Sequence, residues 1–208
     1  MNAAPRVLVV FYSRTGNVAK LAEAVAEGAA SAGAEVRLTR VDDLAPAEVI
    51  ESMEAWKASR EAQRKRYPEA RLEDLEWADA ILFGSPTRYG NMAAELKLFL
   101  DKTGPLWAAG KLANKVGSVF TATATLHGGH EATLLTMLIP LMHLGMILVP
   151  PGYTDPVYFQ AGSPYGAGAV VGGNADQPPT AQDLAAARHQ GRRVAEITAR
   201  LLAGTPAR

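Results

Sequence analysis

Cysteine is absent from the 208 residues of this chain. That removes a disulfide framework, a thiol nucleophile and thiolate metal ligation together. Any redox chemistry must then belong to a bound cofactor rather than to the protein's own sulfur. An excess of charge is also missing: Lys and Arg total 21 and Asp and Glu total 21, so no global field draws the chain to nucleic acid or to an anionic membrane. No apolar run reaches the roughly 18 to 20 residues that span a bilayer, and the opening Met1-Asn2-Ala3-Ala4-Pro5-Arg6 lacks the basic and long apolar regions of a signal peptide. A soluble, cytoplasmic protein acting on small molecules is expected, with no membrane insertion. Neither an internal repeat nor a convincing linker divides the sequence, so residues 1–208 read as a single domain.

What is present is an alternation of short apolar runs with helical patterns. Runs at about 6–12, 35–41, 79–84, 116–121 and 146–150 are rich in Val, Ile, Leu or Phe. Unbroken runs such as Ala80-Ile81-Leu82-Phe83 suit parallel strands buried on both faces. Val18, Leu21, Ala22, Val25, Ala26 and Ala29 recur at helical spacing, and Leu184, Ala187, Val194, Ile197 and Leu201 mark a final helix over about 180–202. The pattern predicts an α/β fold of flavodoxin-like type, a doubly wound five-stranded parallel sheet in the order 2-1-3-4-5. Its ligand should lie at the carboxyl ends of the strands flanking the switch point. Two stretches exceed this plan. Residues at about 46–75 carry Lys57, Arg60, Arg64, Lys65, Arg66 and Arg71 among glutamates and read as a solvated helical insertion, with a docking patch for an acidic partner as the alternative. Residues at about 150–179 are rich in Gly, Pro and aromatic side chains, and a loop of that length is expected to carry function or cover a site.

Three loops leave the predicted carboxyl edge. In the first, Ser13-Arg14-Thr15-Gly16-Asn17-Val18 joins a buried strand to a helix. Hydroxyl and amide donors, a glycine that admits close backbone approach and the helix N-terminus make a phosphate cradle. It has neither the Walker lysine nor the dinucleotide glycine spacing, so a mononucleotide fits best; the alternative is an ordinary turn with Ser or Asn as N-cap. The second loop, Gly84-Ser85-Pro86-Thr87-Arg88-Tyr89-Gly90-Asn91-Met92, offers a flat Tyr89 face for a heterocycle. Arg88 is read as a cation beside the N1 and O2 edge of a flavin reduced by hydride, against the alternative of a solvent-facing turn arginine. The third loop, Ala122-Thr123-Ala124-Thr125-Leu126-His127-Gly128, has the small residues needed to wrap a planar ring with backbone N–H groups. His127 and His130 lack supporting ligands, and no metal site is expected. His143 falls near the end of an apolar helix expected to lead back toward the same edge.

Ser-x-Thr-Gly-Asn at 13–17, Pro-Thr-Arg-Tyr-Gly-Asn-Met at 86–92, Gly-Pro-Leu-Trp at 104–107, His-Gly-Gly-x-Glu at 127–131 and Gly-Ser-Pro-Tyr-Gly-Ala at 162–167 resemble the WrbA family of flavodoxin-like NAD(P)H:quinone oxidoreductases. The resemblance runs from about Arg6 to Leu202. It implies non-covalent FMN, with the phosphate at Ser13–Val18 and the ring against Thr87–Tyr89 and Ala122–Gly128. It also implies a homotetramer in which Trp107 overhangs a neighbouring flavin and His143 lies close to the ring and the quinone. The implied reaction is two-electron, ping-pong reduction of quinones by NADH or NADPH, with Arg88 and His143 in catalytic roles and Trp107 and Tyr89 forming the substrate slot. A flavodoxin-type one-electron carrier is the alternative, disfavoured by neutral overall charge and by Arg14 and Arg88 in the binding loops. The chain departs from the family in placing His130 where relatives often carry Gln, in an Ala/Thr-rich third loop and in its charged insertion.

Overall fold

Strand β1 (Arg6–Phe11) shows how the sheet is buried. Val7, Val9 and Phe11 enter one apolar cluster while Leu8 and Val10 enter another, and all five are inaccessible to solvent. Successive side chains of a strand point to opposite faces, so an unbroken apolar run needs a layer on each side. The computed structural model, which describes residues 4–204, supplies both layers. Residues 1–3 and 205–208, included in the single-domain reading, lie outside the described residues.

The remaining strands are β2 (Glu35–Arg40), β3 (Ala80–Arg88), β4 (Asn91–Met92), β5 (Val116–Thr123), β6 (Ile147–Leu148) and β7 (Gly168–Val170). The helices are α1 (Asn17–Ser31), α2 (Ala47–Glu51), α3 (Glu54–Arg66), α4 (Leu72–Trp77), α5 (Ala94–Asp101), α6 (Gly104–Ala108), α7 (His130–His143) and α8 (Ala181–Gly204). The sheet runs β2-β1-β3-β5-β6 with parallel pairing, which is the predicted 2-1-3-4-5 once the short hairpin strand β4 is set aside. Among the described residues, no helix is long and apolar enough to cross a membrane.

The far edge differs from the expected strand at 146–150. There β6 pairs only with Val116 and Gly117, and β7 resumes the pairing at Thr121–Thr123. Pro150 and Pro151 carry no N–H to continue the ladder. The gap is closed by the fully buried Gln190 of α8: its Nε2 donates to Ser118 Oγ at 2.7 Å and Val119 O at 2.8 Å, and its Oε1 accepts from Ala167 N at 2.7 Å. A side-chain amide thus stands in for the missing strand. Of the 150–179 stretch expected to carry function or cover a site, the part after β7 reaches the carboxyl edge at Val171–Ala175, while the loop between β6 and β7 does not. It docks on α8, through Tyr158 Oη to Ala186 O at 2.6 Å and Arg193 Nε to Pro150 O at 3.1 Å.

The charged insertion is also not one solvated helix. Pro46 caps the start of α2 and an extended Met53 separates α2 from α3, which buries Trp56 and Gln63 against the rest of the molecule. On one face of the sheet α1 and α8 cross with backbones nearly touching, a contact made possible by Gly28 and Gly191. Leu75, Leu96, Phe99, Leu134 and Met137, from α4, α5 and α7, pack the other face.

Two histidines make stability depend on pH. Burial holds His130 below its ordinary value despite Asp183 and Glu131, and burial also lowers His189, where Asp155 and Glu196 oppose Arg193 and Arg192. The folded state therefore binds fewer protons than the unfolded chain as pH falls below about 6.5. Stability present at pH 8 should decline as the pH falls below about 6.5, by up to about 1.4 kcal/mol for the buried His130 for each pH unit over which only the unfolded chain is protonated, and by less for the more exposed His189. Urea midpoints measured across that range check this, and His130→Gln should flatten the slope; an equal slope in that variant would remove His130 as a cause.

Candidate cofactor site

The end of β1 and the start of α1 build an anion cradle from backbone. Gly16 caps α1 at φ +88° with no side-chain capping bond, so the first-turn N–H groups face outward without the usual hydroxyl or carboxylate. Ser13 shapes the turn instead: its Oγ accepts from Gly16 N at 3.1 Å, leaving its own proton free to donate. Asn17 departs from the expected use, because its Nδ2 donates to Ala175 O at 2.8 Å and ties the 171–175 segment to the cradle.

The second loop is a two-residue hairpin between β3 and β4 with positive φ at both Tyr89 (54°) and Gly90 (78°). Such primed turns match strand twist, but a bulky residue in that region is strained. The loop is braced from behind. Thr133 Oγ1 donates to Thr87 Oγ1 at 2.7 Å, Ala93 N donates to Ser85 Oγ at 2.8 Å and Thr121 Oγ1 donates to Ser85 O at 2.7 Å. The third loop presses on it at Gly129, where a Cβ would meet Gly90 Cα at 2.9 Å. Gly129 also caps α7 at φ +85° without a side-chain bond, so a second bare helix N-terminus opens at this edge.

These parts enclose a cleft of about 650 Å³, a size suited to a small-molecule cofactor. Of the residues singled out in the sequence, Ser13, Arg14, Thr15, Asn17, Val18, Pro86, Thr87, Arg88, Ala122, Thr123 and Ala124 line it. Gly16, Gly90, Asn91, Thr125, Leu126, His127 and Gly128 do not line it, and the Tyr89 ring, next in sequence to Arg88, stands fully exposed. Arg88 Nη1 donates to Thr87 O at 2.8 Å, and among the described residues no carboxylate pairs with it. His130 turns away, with Nε2 buried and unpartnered near Gly168. Among the described residues no group of three or more acidic or histidine side chains could hold a metal ion.

His143 and Trp107 are elsewhere. Helix α7 starts at the cleft and runs away from it, so His143 ends at the amino edge, just before the strand that pairs with the first residues of β5. This corrects the expectation that the helix leads back. Trp107, mostly exposed on α6, precedes β5 and lies toward the same end. Neither lines the cleft of its own chain.

Two further walls come from outside the three loops. One is Ser52–Trp56 at the α2–α3 junction and the other is Val171–Ala175 after β7. The first lies in the stretch read as a solvated insertion and could have been suspected from Trp56, an aromatic residue in an otherwise charged helix; the second lies at the end of the 150–179 stretch expected to carry function or cover a site. The α3 wall is fastened to the cradle, since Gln63 Nε2 donates to Ser13 O and to Ser59 Oγ, each at 2.8 Å. Tyr12 and Trp56 both donate to Asp43 Oδ1, at 2.9 and 2.8 Å, and burial with Glu95 and Asp43 nearby pushes the Tyr12 phenol well above its usual range. Tyr12 stays a donor at every working pH.

Comparison with known proteins agrees with this architecture. The family model described as NADPH-dependent FMN reductase matches residues 5–156. A curated NAD(P)H dehydrogenase (quinone) from Deinococcus radiodurans is 48% identical over 203 residues, covering 97% of this chain and 100% of its own length. One of the same description from Aromatoleum aromaticum is 49% identical over 208 residues, with 97% and 100% covered. A solved structure from Agrobacterium tumefaciens, described as a flavodoxin, WrbA-like protein, is 27% identical at a TM-score of 0.63, covering 93% of this chain and 97% of that one. An archaeal flavodoxin at 22% identity and TM-score 0.61 shares the fold. With the cradle, the switch-point cleft and the sheet order in place, the chain belongs to the family described as NADPH-dependent FMN reductase.

Proposed function

We propose that this chain binds FMN in the 650 Å³ cleft and uses NADH or NADPH to reduce quinones to hydroquinones by two electrons. The observation that carries the reading is that one cleft joins a single uncapped phosphate cradle at Ser13–Val18 to an uncompensated Arg88 across the switch point. Of the two uncapped helix starts only that of α1 lines the cleft, and the sequence has no second phosphate fingerprint, so a mononucleotide fits better than FAD. When bound, FMN supplies the ability to take two electrons from a nicotinamide and deliver them to a quinone. The chain's own part is position and charge. First-turn N–H groups and the Ser13 hydroxyl hold the phosphate, Ala122–Ala124 offer a flat wall without bulk, and Arg88 stabilises negative charge at the other end. Nicotinamide and quinone occupy the same open face in turn, with Tyr89 at its rim, which gives ping-pong kinetics.

The reading includes a cytoplasmic location and a homotetramer. Trp107 and His143 can approach a flavin only from a neighbouring copy, because both stand at the opposite edge from their own cleft. Exposed Leu135, Ile139 and Met142 give α7 an apolar outer face that such a neighbour would cover. Sedimentation and steady-state assays over one dilution series should show activity and mass falling together; a fully active monomer would rule out the shared site.

The direct test is anaerobic mixing of FMN-loaded protein with NADH or NADPH and then benzoquinone, following flavin absorbance. If neither nucleotide bleaches the flavin without a partner protein, the enzyme reading falls and a one-electron carrier takes its place. Arg88→Ala should keep most FMN affinity yet lower the two-electron potential and slow reduction, at a cost of about 1 to 3 kcal/mol if the bound ring takes the half-buried guanidinium out of water and much less if it points into solvent. Potentiometry checks this, and an unchanged potential would put Arg88 in solvent.

A further inference from the structure

Arg14 is held in an unusual way for a cation. Its guanidinium lies 4.0 Å from the centre of the Trp56 ring, and its Nη2 meets Met53 Sδ at 3.0 Å. Neither contact neutralises charge: the ring offers only its quadrupole, and a thioether is a weak acceptor. Among the described residues Arg14 has no carboxylate partner, though Asp42 and Asp43 lie in the same part of the molecule and contact the same helix. Those two are already occupied. Asp42 pairs with Arg40 at 3.0 Å and with Arg64, while Asp43, 8% exposed, takes Arg60 at 3.5 Å and the donors of Tyr12 and Trp56. Arg60 and Arg64 of the insertion, with Arg40 of β2, thus saturate Asp42 and Asp43, while Glu54 lines the cleft without pairing with Arg14. Most of Arg14's five N–H donors remain unspent beside that cradle.

We infer that Trp56, fixed by Asp43, is a positioning residue for the cofactor phosphate, acting through Arg14. The Trp56 ring orients the Arg14 guanidinium at the cradle while leaving its charge free, and the Asp43 carboxylate sets the ring by accepting from Nε1. The charged insertion is in this account part of the phosphate site. The inference rests on the reading that FMN's phosphate occupies Ser13–Val18, and it goes beyond that reading in naming residues that contact the phosphate only through Arg14.

Riboflavin, which has the same ring and no phosphate, separates a positioning role from a packing one. The full chain, stripped of flavin, is titrated with FMN and with riboflavin by fluorescence, alongside thermal melts, for wild type, Trp56→Leu, Trp56→Phe, Arg14→Met and the Trp56→Leu/Arg14→Met double variant. Trp56→Leu should weaken FMN about tenfold more than it weakens riboflavin, which shares the cleft wall but has no phosphate. Trp56→Phe, which keeps a ring face, should bring the FMN-to-riboflavin ratio to within about threefold of wild type. Arg14→Met should match Trp56→Leu, and the double variant should lose little more than either single one, because both remove one interaction. Equal weakening of FMN and riboflavin by Trp56→Leu would make Trp56 a packing residue, and fully additive losses would mean that it does not act through Arg14; either result overturns the inference. A wild-type protein that does not distinguish FMN from riboflavin would instead overturn the cradle reading beneath it.

Discussion

Replacing Gly16 with valine should raise the FMN dissociation constant by about a hundredfold or more while leaving the protein folded. The substitution meets no wall of protein: an added Cβ would stand 3.7 Å from Ser59 Oγ, an ordinary contact. The damage comes from the backbone. At φ +88° a β-branched residue is strained by roughly 2 kcal/mol or more, and the loop can relieve this only by leaving the left-handed region that aims the first N–H groups of α1 at one point. A Cβ there also stands where the phosphate must come close to the chain. Fluorescence titration measures the loss, with a circular dichroism melt to show that the fold survives. Riboflavin affinity should change far less. An unchanged FMN constant would place the phosphate somewhere other than Ser13–Val18.

Gly191→Val should produce the largest loss of stability of any single change considered. Its ideal Cβ would lie 1.9 Å from Val25 O and 3.1 Å from Ala29 N, both backbone atoms of α1 that no rotamer change can move. The reciprocal position Gly28 meets Arg188 O at 1.9 Å, so the two helices touch on both sides of their crossing. Relief requires α1 and α8 to separate along a face lined by Ala22, Val25, Ala29, Ala187 and Val194. Overpacking against backbone costs about 3 kcal/mol or more, a large part of the roughly 5 to 15 kcal/mol that holds a domain together. For a chain of this size the melting temperature should fall by about 6 to 12 °C or more. Because α1 carries the cradle at its first turn, FMN binding should weaken along with the loss of stability. A melting temperature within about 2 °C of wild type would show that the helices are not so closely packed.

The contrast between these two glycines says how far the sequence could be read. Gly16 stands between a recognisable strand and a recognisable helix, in a turn of known chemistry, and its purpose is local. Gly28 and Gly191 sit inside helices 163 positions apart by residue number, where nothing nearby announces that they face each other. Gln190 is similar: one polar residue in a long amphipathic helix gives no hint that its amide replaces the ladder between β6 and β7.

By itself the sequence determined the alternation of strand and helix, the 2-1-3-4-5 order and the three loops at the carboxyl edge, because each follows from periodicity, turn chemistry and short-range connection rules. The tertiary structure alone decided which parts of those loops reach the cleft and which distant segments wall it. Ser52–Trp56 arrives through the docking of α3 on the cradle, and Val171–Ala175 through the interrupted far edge and the Asn17 bond to Ala175. It also decided that α7 carries His143 away from the cleft of its own chain, to the amino edge of the sheet. The physical reason is that local patterns encode direction along the chain and burial against some partner, whereas the identity of that partner emerges only when packing, hydrogen bonds and charge pairing are satisfied together.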